Sequence, residues 1–430
     1  MYPIVSENDN LKIVEEFVRM EDGIRLYTFC ACPKKKEHYP IVFIREPYAN
    51  PHYGVPADLQ SCESNIFIQN EYALVIQHCR GTGNSEGVCI PYNERDDGLE
   101  TLEYIRKLPF YNGEIYVEGG SYRSTVHLTY IDTNPPDIKG AALAIQTDRM
   151  YFRNYRNGCC YDFCNLDWWL SMIKREYPNQ TLDDAIKRPY KDIMKRIIGT
   201  EYSTYTNLLL NNKYNDFWKN DPRTHAIEGL EIPVLFTEGW YDYYLEGMFS
   251  MWQRMPEKTK QKSAMVVGPW GHSTHVINGA AYPLNHGNLK KDFVVEWFNS
   301  IRYARPYKYA ETNKVNYYSI GGDFWTTADY PSSPQDICRL YFNLADGLTK
   351  NPLAEEQEDM NGTRYYESIP FVFTGNAVMY CDNVSTPGRY LERYDGDKSE
   401  LLFDIVAVSK KERTIHIIRI GAGEDRIVKY

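Results

Sequence analysis

The chain has 430 residues, enough for two or three domains, and 43% apolar residues, enough to bury a full core. With 48 Lys plus Arg against 58 Asp plus Glu, the net charge is −10, which excludes a general affinity for nucleic acid or anionic membranes. Ten Cys in this length do not form a disulfide framework, no apolar run reaches about 18 residues, and no basic-then-apolar leader opens the sequence, so a cytoplasmic protein is expected.

In chain order, the first third alternates strands and helices. Ile41–Ile44 and Ala73–Ile76 are short apolar runs between turn residues, the mark of buried parallel strands. Leu99, Leu102, Ile105 and Leu108 recur at helical spacing within Arg95–Leu108. Ile115–Val117 is a further strand, broken by Gly119-Gly120, and a helix is expected over Thr125–Asp132 before an apolar strand at Gly140–Ile145. This order predicts an α/β fold with helices on both faces of a parallel sheet.

From about residue 148 to 225 strand signals vanish and aromatics crowd in, which predicts a helical insertion containing an amphipathic helix over Asp183–Ile198. Strands return at Ile232–Thr237 and Ala264–Val267, and a helical face runs from Leu289 to Ile301. Beyond 313 the pattern is all β, with strand-like runs at Val315–Ile320, Arg339–Leu344, Ala377–Tyr380, Leu401–Val408 and Thr414–Ile420. The expected domains are therefore 1–147 with 226–312, a helical cap at 148–225, and a C-terminal β-sandwich at 313–430.

The sharpest chemical signal is Gly119-Gly120-Ser121-Tyr122 between a strand and a helix. A Ser on such a turn projects its hydroxyl at the end of the sheet, and glycines beside it let strand and helix approach. A nucleophilic Ser needs a base, and the base an orienting carboxylate. Asp242 follows one later strand and His272 the next, in the order Ser, Asp, His. The rivals are Glu246 for the acid and His275 for the base.

Together these segments resemble the cocaine-esterase and X-prolyl dipeptidyl-peptidase family of serine hydrolases, a branch of the α/β-hydrolases. The resemblance extends to Met20-Glu21-Asp22-Gly23-Ile24-Arg25-Leu26, Arg45-Glu46-Pro47-Tyr48, and Arg80-Gly81-Thr82-Gly83-Asn84-Ser85-Glu86-Gly87. It also takes in Gly239-Trp240-Tyr241-Asp242 and Gly268-Pro269-Trp270-Gly271-His272. It implies an α/β-hydrolase domain with an inserted helical cap and a jelly roll, shortened here. It assigns nucleophile, acid and base to Ser121, Asp242 and His272, and the oxyanion hole to the Tyr48 hydroxyl and the Tyr122 N–H. The block 151–169 and residues on either side of Asp242 would then line a pocket, with Tyr155, Trp168, Tyr244 and Trp240 as candidates.

Three positions depart from the family. Ser124 stands where a Gly is usual, Arg123 at a position the family leaves free, and His78 where an acid would partner Arg80. The shortened jelly roll leaves a sheet edge that a second copy or a partner chain would cover, and a homo-oligomer, a dimer, is expected. The carboxylate cluster that holds a substrate ammonium in related enzymes is not evident, which favours a small or medium ester, amide or peptide-like substrate without a required free amine. Cys159, Cys160 and Cys164 lack a spaced fourth ligand and are expected to be ordinary thiols; no metal or cofactor is expected. The competing readings are an X-prolyl dipeptidyl-peptidase and a catalytically silent binding or assembly protein.

Overall fold

The computed structural model describes residues 3–48, 55–156, 159–160, 162–181, 190–221, 226–272, 290–319 and 324–330. It also describes strands Tyr341–Asn343, Gly347–Thr349, Phe371–Thr374, Leu402–Ser409, Thr414–Gly421 and Arg426–Lys429.

The first seven strands are β1 (Ile4–Glu7), β2 (Leu11–Arg19), β3 (Arg25–Pro33), β4 (Tyr39–Glu46), β5 (Ala73–His78), β6 (Tyr111–Gly120) and β7 (Ile138–Ala144). The insertion carries a two-stranded ribbon, β8 (Tyr155–Arg156) and β9 (Cys159–Cys160). Then follow β10 (Val234–Gly239), β11 (Ala264–Gly268), β12 (Val315–Ser319) and β13 (Phe324–Ala328). All but the ribbon form an eleven-stranded sheet in the order β1-β2-β3-β5-β4-β6-β7-β10-β11-β12-β13. The run from β5 through β12 is parallel, and the outer strands are antiparallel.

Side-chain alternation explains the near-continuous apolar runs. In β4, Ile41 and Phe43 enter one core cluster while Val42 and Ile44 enter another. The same division holds for Ala73 and Val75 against Leu74 and Ile76, and for Met265 and Val267 against Ala264 and Val266. A strand covered on both faces has no solvent side for polar residues, and β4, β5, β10 and β11 are buried throughout, apolar along their length except near the carboxyl ends of β4, β5 and β10. Leu102, Ile105, Met251 and Trp252 cover one face, and Phe67, Phe293, Trp297 and Phe298 the other.

The expected helix at Arg95–Leu108 runs Arg95–Ile105, and the one expected from Thr125 begins at Tyr122, directly after Ser121. Between β7 and β10 lie helices Met150–Asn154, Asp162–Met172, Ile193–Ile198, Ser203–Leu210 and Asp216–Lys219, packed around Trp169, Tyr155, Tyr205 and Trp218. The first half of the helix expected at Asp183–Ile198 falls outside the described residues, as do Ala377–Tyr380 and His275.

One strand goes elsewhere than expected. Val315–Ser319, read as the opening of the C-terminal β region, pairs in parallel with β11 and extends the main sheet. Its apolar alternation suits either sheet, and the free edge of β11 decides between them. Further on, Tyr341–Asn343 pairs with Gly347–Thr349, and the last four strands form an antiparallel sheet in chain order.

Candidate active site

Because β4, β6, β10 and β11 are parallel, their carboxyl ends lie along one edge of the sheet, where open α/β sheets place their sites. Tyr48 follows β4, Ser121 follows β6, Asp242 follows β10 and His272 follows β11.

Ser121 has φ 56° and ψ −128°, a left-handed conformation costly for a residue with a side chain, on the order of 1–3 kcal/mol. The strain is held by the hydrogen bond from Ser121 N–H to the Ala144 carbonyl at 2.9 Å, and by tight strand–helix packing. A Cβ at Gly119 would stand 2.4 Å from the backbone of Arg123, so glycine is obligatory there; at Gly120 the nearest atom would be 3.9 Å away.

Ser124, in place of the usual glycine, is more than a tolerated substitution. Its hydroxyl donates to the Gly119 carbonyl and accepts the Ala144 N–H at 3.0 Å, bridging β6 and β7 beneath the turn.

The Ser121 Oγ lies 2.8 Å from His272 Nε2, and His272 Nδ1 lies 2.7 Å from Asp242 Oδ2. The Asp242 side chain is fully buried and its Oδ1 accepts the Tyr244 N–H at 2.7 Å. The loops carrying Asp242 and His272 are laced together. Trp240 N–H donates to the Gly268 carbonyl at 2.9 Å and Tyr241 N–H to the Trp270 carbonyl at 3.1 Å. A Cβ on Gly239 would come within 2.1 Å of the Trp270 carbonyl oxygen, so this lacing needs glycine. Beneath them, burial and the nearby Asp242 charge push Glu238 well above the usual carboxylate range. A neutral Glu238 spares Asp242 a like charge next to it.

Tyr48 N–H donates to Glu46 Oε1 at 3.0 Å, and Glu46 Oε2 lies 3.1 Å from Arg123 Nε. Arg123, at a position the family leaves free, ties the turn at Ser121 to the Tyr48 segment. Burial raises the Glu46 pKa from 4.5 to about 7, against the opposing pull of Arg123. A proton held more tightly in the folded chain favours folding at low pH, and that contribution drains away as pH rises from about 4.5 through 7. Glu46→Gln should abolish the effect. Going from pH 5 to 8, the wild type is expected to lose about 2–3 kcal/mol relative to the variant, read from urea unfolding. Parallel pH dependences would remove Glu46 from this role.

Tyr122 opens its helix, so its N–H has no carbonyl partner four residues earlier within the helix. Its ring is buried, its hydroxyl donates to Glu94 and accepts the Tyr92 N–H at 2.8 Å, and the Tyr48 ring meets it edge-on at 6.5 Å.

The pocket candidates divide. Tyr244 meets His272 edge-on at 5.5 Å between ring centres, and Trp168 meets Tyr122 at 5.0 Å. Tyr155 instead stacks on Tyr151 in the core of the insertion and donates to the Leu208 carbonyl. Trp240 packs between Phe249 and Tyr317 in the main core, with its indole N–H donating to the Tyr318 carbonyl. Tyr243, which the sequence did not single out, stacks on His272 at 4.7 Å and 22°.

Arg80 keeps its partners despite His78. It makes a bidentate pair with Asp97 and a second pair with Asp22, while His78 accepts the Asn84 N–H at 3.1 Å. The side chains of Cys159, Cys160 and Cys164 lie outside the described residues. Among the described residues no helix is long and apolar enough to cross a membrane.

Comparison with known proteins bears on this arrangement. The family model for X-Pro dipeptidyl-peptidase (S15 family) matches residues 22–274, which include all five positions above from Tyr48 to His272. Cocaine esterase from Rhodococcus sp. (strain MB1 Bresler) is 24% identical over 280 residues, 60% of this chain and 48% of that esterase, so the match spans about half the relative's length. An aminopeptidase from the marine sediment archaeon Thaumarchaeota archaeon aligns with TM-score 0.63 and 19% identity over 86% of this chain and 67% of its own. An α-amino acid ester hydrolase aligns with TM-score 0.64 and 18% identity over the same shares. At these identities the two structures establish a shared α/β fold.

Proposed function

The chain belongs to the X-Pro dipeptidyl-peptidase (S15) family, and from that premise we propose that it is a serine hydrolase cleaving an ester or amide through an acyl-enzyme at Ser121. The observation that supports this most directly is the hydrogen-bonded line from Ser121 Oγ through His272 to Asp242, at 2.8 and 2.7 Å. Both distances fall within the range a proton relay needs.

In this reading Ser121 Oγ attacks the substrate carbonyl as His272 Nε2 takes its proton. Asp242 holds the imidazole with Nδ1–H toward the carboxylate and stabilises the imidazolium that forms. The oxyanion is met by the Tyr48 hydroxyl and the Tyr122 N–H. His272 then delivers its proton to the leaving group, and water repeats the sequence to release the acid. The segment 148–225 acts as a cap over the site, on an α/β-hydrolase domain formed by 1–147 and 226–312, with a jelly-roll-like region after it.

A fluorophosphonate probe tests the reading. Labelling of the folded wild type that is absent in Ser121→Ala supports it; a well-folded wild type that does not label overturns it and leaves the silent binding protein. Aryl esters run beside Xaa-Pro anilides decide between a general esterase and the dipeptidyl-peptidase activity that the family's description suggests. Tyr48→Phe removes one donor and is expected to lower kcat by about 10²–10³-fold with KM little changed. Turnover equal to wild type would take Tyr48 out of the oxyanion hole.

A further inference from the structure

A guanidinium taken out of water normally sits against a carboxylate. Three other arginines here find an oxygen partner: Arg254 pairs with Asp148 and Glu228, Arg80 with Asp97 and Asp22, and the fully buried Arg45 donates to the Glu94 carbonyl. Arg153, in the helix Met150–Asn154, does not. It is 7% exposed, and among the described residues its guanidinium makes no ion pair or hydrogen bond. Its Nε is buried with no acceptor. Instead three rings surround it, with Cζ 4.4 Å from the centre of Trp168, 5.2 Å from Tyr92 and 5.6 Å from Tyr244. Ring faces stabilise the cation but supply no oxygen to its N–H groups.

Two of those rings border the reacting groups. Tyr244 is 5.5 Å from the His272 ring and Trp168 is 5.0 Å from the Tyr122 ring. The two ring distances through Tyr244 place Arg153 Cζ within about 11 Å of the His272 ring. A guanidinium lying over a ring keeps its N–H edge open in its own plane, which suits a planar, bidentate carboxylate.

We propose that Arg153 is the specificity residue for a carboxylate on the substrate, a few bonds from the scissile carbonyl. The inference rests on the hydrolase reading above and names its substrate class: monoesters or monoamides of short dicarboxylic acids, or acyl groups whose leaving group carries the carboxylate. The substrate anion completes the hydrogen bonding that the fold leaves open at Arg153.

The test uses the full chain and two pairs of esters. One pair is p-nitrophenyl hemiglutarate and its methyl-capped diester, with the charge on the acyl side. The other is the acetyl ester of 4-hydroxybenzoate and that of its methyl ester, with the charge on the leaving group. The quantity read is the ratio of kcat/KM, charged over capped, within each protein. In the wild type the ratio is expected to exceed about tenfold in one pair, carried mainly in KM, and that pair identifies the side. In Arg153→Gln the ratio is expected to collapse to one or below, with Arg153→Lys intermediate because it keeps charge without the fork. Should Arg153→Gln fail to fold, Arg153→Lys supplies the comparison. Ratios near one in both pairs of the wild type, or a ratio that survives in Arg153→Gln, overturn the proposal. A protein that turns over none of the four esters and does not label with fluorophosphonate sinks the hydrolase reading instead. Arg153 is then judged by tryptophan fluorescence titrated with glutarate and with 4-hydroxybenzoate. Saturable quenching by either that is lost in Arg153→Gln sustains the subsite, and no saturable quenching overturns it.

Discussion

Ser121→Ala is expected to lower kcat on an aryl ester by on the order of 10⁶-fold, with the folded structure intact. The size follows from the loss of covalent catalysis as a whole. Without Oγ, the His272 Nε2 now 2.8 Å from it has no proton to take, and the imidazole and carboxylate behind it act on nothing. Residual hydrolysis comes from water attacking a substrate still held by the oxyanion donors. The fold should tolerate the change. Ser121 makes its structural hydrogen bond through its backbone N–H, and the side chain that bridges β6 to β7 belongs to Ser124. Ala also takes up the strained φ of 56° no worse than Ser does. Steady-state kinetics beside a thermal melt check both halves. Activity within tenfold of wild type would mean that Ser121 is not the nucleophile.

Asp242→Asn carries the second large effect, about 10⁴-fold in kcat. The geometry dictates why. Oδ1 of Asp242 accepts the Tyr244 N–H at 2.7 Å, so the amide oxygen of an Asn must stay there. Its NH₂ group then faces His272 Nδ1, which in the present structure lies 2.7 Å from Oδ2. Nδ1 must become the acceptor, the ring proton moves to Nε2, and Nε2 can no longer take the Ser121 proton. The defect is one of tautomer and charge, so the melting temperature should move little and fluorophosphonate labelling should slow in step with kcat. A variant retaining a tenth or more of wild-type kcat would show that Asp242 does not orient the base.

Much of this site was legible along the chain because each of its residues is set by a local feature. Ser121, Asp242 and His272 each follow the end of a short apolar strand, and glycines mark the places where backbone must come close, at Gly119 and Gly239. The placement of the aromatic rings was legible only in part. Trp168 packs against Tyr122 and Tyr244 against His272, whereas Trp240 and Tyr155 fill cores. All four are aromatic residues in aromatic-rich stretches, and nothing local distinguishes a ring that faces a pocket from one that packs inward.

Alternation and strand order along the polypeptide determined the parallel sheet and the edge at which its loops gather, since strand polarity and side-chain period are properties of consecutive residues. Folding in three dimensions decided the rest. It set β12 beside β11, turned Arg123 onto Glu46, gave Arg80 its Asp97 and enclosed Arg153 among Tyr92, Trp168 and Tyr244. Each of these joins segments well separated along the chain. Which charge meets which partner, and which is left for a substrate, depends on how those segments pack and not on the residues that flank either one.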